Sequence, residues 1–121
     1  MPVNTNQITQ PDVNLKVFLD DERPTPPGWA LARWPEDVIA LLQTGNVTHI
    51  SLDHDLGDDQ HGTGYDVVLW VEEAVATRGF VPPVMTVHSA NTSARIKMQA
   101  GIESIKRMSA QSLSQTSKAE K

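Results

Sequence analysis

Three short runs concentrate the side chains able to do chemistry. Asp20-Asp21, Asp53-His54-Asp55 and His88-Ser89-Ala90-Asn91 each follow directly on an apolar run. Neighbouring carboxylates repel unless a cation, a proton or a basic side chain stands between them. Oxygen-rich clusters of this kind suit Mg²⁺ or Mn²⁺, with Asp20, Asp21, Asp53 and Asp55 as candidate ligands. An imidazole at such a place can act as general acid or base, which makes His88 and His54 candidates for proton transfer, with Asp53 beside them. Arg23 and Arg95 are candidate phosphate clamps, because guanidinium matches phosphate oxygens in pairs. Ser89 can hold a phosphate oxygen, and Asn91 can orient the phosphate or cap the next helix. Together these residues point to phosphate-ester chemistry with a divalent cation.

Each of them also has a plain structural reading. Asp20 and Asp21 could be a solvated turn, and the run from Asp53 to Asp59 a mobile acidic loop. Its position argues otherwise, since the first acids stand where a strand has just left the core. Asp58 and Asp59 read as solvated, His61 as a surface residue, and His49 as structural or exposed. Gly57, Gly62 and Gly64 could bring backbone N–H groups to a phosphate or simply make a turn. Asp66 reads as a favourable charge in a first helical turn.

The elements that must position these groups alternate along the chain. Leu15 to Leu19 is a short apolar run ended by acids, as in a buried strand. The segment Arg23 to Gly28 holds too much Pro and Gly for a helix. Trp29 to Ala32 reads as a second strand. Pro35 suits a first helical turn, Glu36 and Asp37 favour its positive end, and Gly45 stops the helix. Val47 to Leu52 is a third strand. A second helix follows, with Tyr65, Val68, Leu69, Glu72 and Val75 giving its spacing and Gly79 its end. Val81 to Val87 is a fourth strand with prolines at its start. Ala94, Met98, Ile102 and Ile105 mark a last amphipathic helix.

Alternation of this kind predicts an α/β fold: an open, mostly parallel sheet of about four strands with helical crossovers. In such sheets ligands bind outside the carboxyl ends of the strands, where all three chemical runs fall. The expected organisation is a flexible arm over 1–14, an α/β domain over 15–108, and a disordered polar tail over 109–121.

Composition narrows the function further. A chain of 121 residues suits one domain. With no cysteine, disulfides and thiolate chemistry are excluded, which fits a reducing compartment. No apolar run is long enough to cross a bilayer, and no signal peptide is apparent, so cytoplasm is the expected location. The net charge of -5 argues against duplex DNA as a partner. A small phosphorylated ligand, an RNA end or a protein partner stays compatible with it.

The run Val17-Phe18-Leu19-Asp20-Asp21 resembles the first strand and acidic pair of a response-regulator receiver. Asp53 falls where receivers keep the phospho-accepting Asp, and Ser89 where they keep a Ser or Thr. The chain has no room for the last receiver strand and helix, and the Pro-rich segment replaces the first helix. Four motifs in order are similar to a narrower group, the cyclic-phosphate processing receiver domains. They are Leu19-Asp20-Asp21-Glu22-Arg23-Pro24, Leu52-Asp53-His54-Asp55-Leu56-Gly57, Gly62-Thr63-Gly64-Tyr65-Asp66 and His88-Ser89-Ala90-Asn91. This resemblance implies hydrolysis of a cyclic phosphate on a nucleotide or RNA end. In it, Asp20, Asp21 and Asp53 hold the cation, His88 or His54 moves the proton, Arg23 and Arg95 hold the phosphate, and Ser89 and Asn91 orient it. A non-catalytic receiver-like module, binding a phosphorylated ligand or a protein or accepting phosphate on Asp53, is the alternative.

Overall fold

Short apolar runs become strands, two of them stopping at acids. In the computed structural model, which describes residues 14–119 and side chains as far as Gln111, these are β1 (Leu15–Leu19), β2 (Ala30–Ala32), β3 (Val47–Leu52) and β4 (Val84–Val87). They form one sheet in the order β2-β1-β3-β4. Every pairing is parallel. The helices are α1 (Pro35–Leu42), α2 (Gly64–Arg78) and α3 (Thr92–Ala119). The chain therefore has the receiver-like α/β fold expected of it, with no helix between β1 and β2, where the Pro-rich segment runs.

Side chains alternate across a strand, so the sheet has two different faces. Val17, Leu19, Ala32, Ile50, Leu52 and Met85 point to one of them and form the core with Val38 and Leu42 of α1, Val67, Val68 and Val71 of α2, and Met98, Ile102 and Ile105 of α3. The opposite face carries Lys16, Phe18, Leu31, His49, Ser51, Val84 and Thr86. No helix covers it among the described residues. Leu31 and Val84 are exposed there, and Trp29 lies edge-on to Phe18.

Several boundaries differ from expectation. The fourth strand begins at Val84, past Pro82 and Pro83, because its pairing with β3 starts at His49↔Val84 and proline brings no N–H to a ladder. The second strand begins at Ala30, one residue late. The buried stripe of α2 runs through Val67, Val68, Val71, Ala74 and Val75, while Leu69 is exposed. Asp66 accepts from the Thr63 amide at 3.0 Å and so caps this helix as well as charging its first turn. The backbone of α3 continues to Ala119, so 109–119, expected as a disordered tail, is helical. The arm expected over 1–14 lies outside the described residues up to Val13; Asn14 opens into β1.

Candidate active site

The site is built where three neighbouring strands end together. Ladder hydrogen bonding continues one residue past each strand: Asp20 N donates to Ala32 O (3.2 Å), Asp53 N to Leu19 O (3.0 Å) and His88 N to Leu52 O (2.9 Å). Asp20, Asp53 and His88 are therefore fixed by the sheet rather than by loops. All three fall on the helix-free face by strand alternation, two residues beyond Phe18, Ser51 and Thr86. One ligand atom from each of the three lies within 4.8 Å of the others.

Asp20 is the most enclosed of these groups, at 2 % exposure. Its Oδ1 accepts from the amides of Glu22 (2.8 Å) and Arg23 (2.9 Å), and its Oδ2 from His88 Nε2 (2.9 Å). Burial pushes its carboxyl up, but the Arg23 and Glu22 amides and His88 outweigh it and hold the group below the ordinary value. Asp53 has the opposite balance. Burial, and then the negative charge of Asp20, push its carboxyl up against the pull of His88, the His54 amide and Arg23. A nearly buried carboxylate facing another carboxylate is a place short of positive charge. Two carboxylates and one imidazole are a donor set that fits a divalent cation.

A cavity of about 320 Å³ opens at these strand ends, lined by Asp20, Asp21, Arg23, Asp53, Asp55 and Gly57 among others. Asp21 and Asp55, also expected as ligands, reach the cavity but stand outside the close Asp20–Asp53–His88 cluster. Arg23 donates from Nη1 to His88 O (2.6 Å), which holds its guanidinium over the site. Arg95 is beside the site instead, donating to Ser89 O (3.2 Å). Ser89 is buried, and its hydroxyl accepts from the Asn91 amide (3.1 Å). Asn91 caps α3 through Oδ1, which accepts from Ala94 N (3.1 Å), and its Nδ2 donates to Asp55 Oδ2 (3.4 Å). Ser89 and Asn91 thus shape the turn before α3, and neither lines the cavity.

The two candidate bases differ in what they have free. His88 uses both ring nitrogens, Nε2 on Asp20 and Nδ1 on Ser51 Oγ (2.7 Å), and Phe18 stacks on it with ring centres 4.4 Å apart. His54 is held through Nδ1 by Asp55 Oδ1 (2.7 Å), and its Nε2 has no partner among the described residues. His61 lies elsewhere, stacked on Trp34 at 3.7 Å and bonded to Glu36 (2.9 Å). Asp58 and Asp59 are exposed, as expected.

The glycines have distinct tasks. A Cβ on Gly64 would lie 2.0 Å from the carbonyl oxygen of Asp53, so only glycine lets α2 start against that backbone. The amides of Gly62 and Gly64 are spent on Asp58 O and His54 O, which leaves Gly57 alone of the three at the cavity. Sequence reading missed Ser51, Phe18 and Arg33. Ser51 and Phe18 precede Asp53 and Asp20 by two, the spacing that shares a face in a strand. Arg33 donates to Leu56 O (2.8 Å) and stacks over Trp34, bracing the loop that carries Gly57; nothing in its spacing marks it.

A parallel sheet of this order, with clustered acids past its central strands, defines a receiver-like protein. The chain matches the family model of the cyclic-phosphate processing receiver domain over residues 15–104, and it belongs to that family. Comparison with curated proteins and with solved structures found no match. No helix among the described residues is long and apolar enough to cross a membrane.

Proposed function

We propose that this domain hydrolyses a cyclic phosphate on a nucleotide or an RNA end, with a divalent cation at the strand ends. The observation that carries the reading is the convergence of Asp20, Asp53 and His88 within 4.8 Å of one another, beside an acidic cavity that the two carboxylates line, in a chain of this family. The carboxylates would hold the cation, which would polarise the phosphoryl oxygens and lower the cost of water attack. Asp21 and Asp55 line the same cavity and would accept from water on the cation. Arg23, anchored on His88 O, contributes the guanidinium for the phosphate. We give proton transfer to His54, because Asp55 orients its ring and leaves Nε2 free, the arrangement a general base needs. In the metal-free site His88 has both nitrogens engaged and positions Asp20.

Steady-state hydrolysis of nucleoside 2′,3′-cyclic phosphates tests these roles. His54→Ala should lower kcat roughly a hundredfold or more with little change in KM, within the usual range for a lost acid–base group. Arg23→Met should raise KM. Turnover that survives His54→Ala removes His54 from the chemistry. Absence of turnover in the unaltered protein with Mn²⁺ or Mg²⁺, alongside acetyl-phosphate labelling of Asp53, would make the domain a receiver-like module instead.

A further inference from the structure

The His88 ring carries more information than its place in the cluster. Asp20 Oδ2 is a carboxylate oxygen and can only accept while ionised, so His88 Nε2 bears the hydrogen in their 2.9 Å bond. In the neutral ring Nδ1 is then an acceptor, and the Ser51 hydroxyl donates to it at 2.7 Å. This tautomer has no lone pair on Nε2, the nitrogen that faces Asp20, to offer a metal. The opposite tautomer does, and Ser51 tolerates it equally, because a hydroxyl can accept from Nδ1–H as readily as it donates to Nδ1. A side chain restricted to donating, or to accepting, would lock one form. Phe18 stacked on the ring at 4.4 Å and 3° holds its plane in both. Ser51 is 9 % exposed, so water does not readily replace its hydroxyl.

We propose that His88 Nε2 is the nitrogen ligand of a site completed by Asp20 and Asp53, and that Ser51 is the positioning residue that lets the ring change tautomer to bind. The inference rests on the cation-dependent reading above and adds the class of ion. On cation binding the ring would give up the proton on Nε2 to solvent and take one up on Nδ1 by way of the Ser51 hydroxyl, with no net change of charge, and that hydroxyl would turn from donor to acceptor. Asp20 loses the donor at Oδ2 and gains the cation. A ligated histidine whose other N–H is held by a fixed acceptor is the usual second layer of a metal site, and losing that acceptor typically costs ten- to a hundredfold in affinity. One imidazole with two carboxylates favours a first-row transition ion over Mg²⁺, which prefers oxygen alone and keeps its waters.

The test uses metal alone on the full chain. Mn²⁺ binding is followed by electron spin-echo envelope modulation, and Mn²⁺ and Mg²⁺ affinities by titration. The expected result is nitrogen modulation that disappears in His88→Gln. Ser51→Ala should weaken Mn²⁺ roughly tenfold or more while Mg²⁺ affinity changes less than about twofold, which also shows that the variant is folded. Bound Mn²⁺ without His88-dependent nitrogen modulation would overturn the inference and leave a carboxylate-only cation site standing. Equal losses for both ions in Ser51→Ala would overturn the role of Ser51. Failure of both ions to bind the unaltered protein would overturn the cation reading itself.

Discussion

Replacing Asp53 with Asn should stabilise the metal-free protein at neutral pH. The carboxyl oxygens of Asp53 and Asp20 come within 4.8 Å of each other. Two like charges at that distance repel by about 3 kcal/mol at an effective dielectric of ~20. His88 and Arg23 oppose this, and burial adds to it. A net gain of about 1 kcal/mol is the expectation, or roughly 4–8 °C in Tm for a domain of this size. Asn keeps an oxygen to accept from the His54 amide, so the comparison isolates the charge. The sign with pH follows from the raised position of Asp53. Its cost is present above its folded pKa and fades as pH falls through it, because the native carboxyl then takes up a proton more readily than the unfolded one. The advantage of Asn should therefore shrink on acidification. It should also vanish when Mn²⁺ is added, since the unaltered site gains a cation that the variant holds weakly. Thermal melts by circular dichroism at several pH values, with and without Mn²⁺, read all of this. A variant that melts at or below the unaltered protein at pH 7 without metal would refute the account of repulsion.

Other expectations follow from the same contacts. Gly64→Ala should destabilise by about 3 kcal/mol, because the new methyl would press on the Asp53 backbone, which cannot yield as a side chain does; chemical denaturation of the variant beside the unaltered protein measures the loss. Asp20 is held below its ordinary pKa despite burial, so its stabilisation is full above the unfolded value and is lost as pH falls through the folded one. Asp20→Asn should accordingly flatten the acid limb of the stability profile, measured by denaturant midpoints. Met98→Ala, at a fully buried position between α3 and the sheet, should cost about 2–5 kcal/mol.

The strands and the acids that end them were legible because both signals are local. An apolar run stopped by Asp20-Asp21 or Asp53 states its own boundary, and strand-end placement then brings distant acids together. The limit of β4 was less legible, since Val81 is as apolar as Val84 and only pairing with His49 decides where the ladder starts. The inward stripe of α2 was misplaced because valine and leucine occupy almost every position from Val67 to Val71, and periodicity cannot choose among them. The end of α3 was set too early because a Ser- and Gln-rich composition weakens a helix signal without abolishing it. Within the site, residue type located His88 but not its state. That depends on Ser51, thirty-seven residues away in sequence and within hydrogen-bonding reach only once β3 and β4 pair. Residue type also could not show that Arg95 and Asn91 each bond the backbone around the turn before α3, or that Asn91 reaches Asp55 as well.

The most direct test of the central claim is phosphorus NMR of a nucleoside 2′,3′-cyclic phosphate incubated with the full chain and Mn²⁺, beside a sample with chelator. The account predicts that the cyclic resonance is replaced by that of a phosphomonoester only where the metal is available, and not in Asp53→Asn. A cyclic resonance that persists unchanged with saturating metal, or one lost equally with chelator, would contradict it.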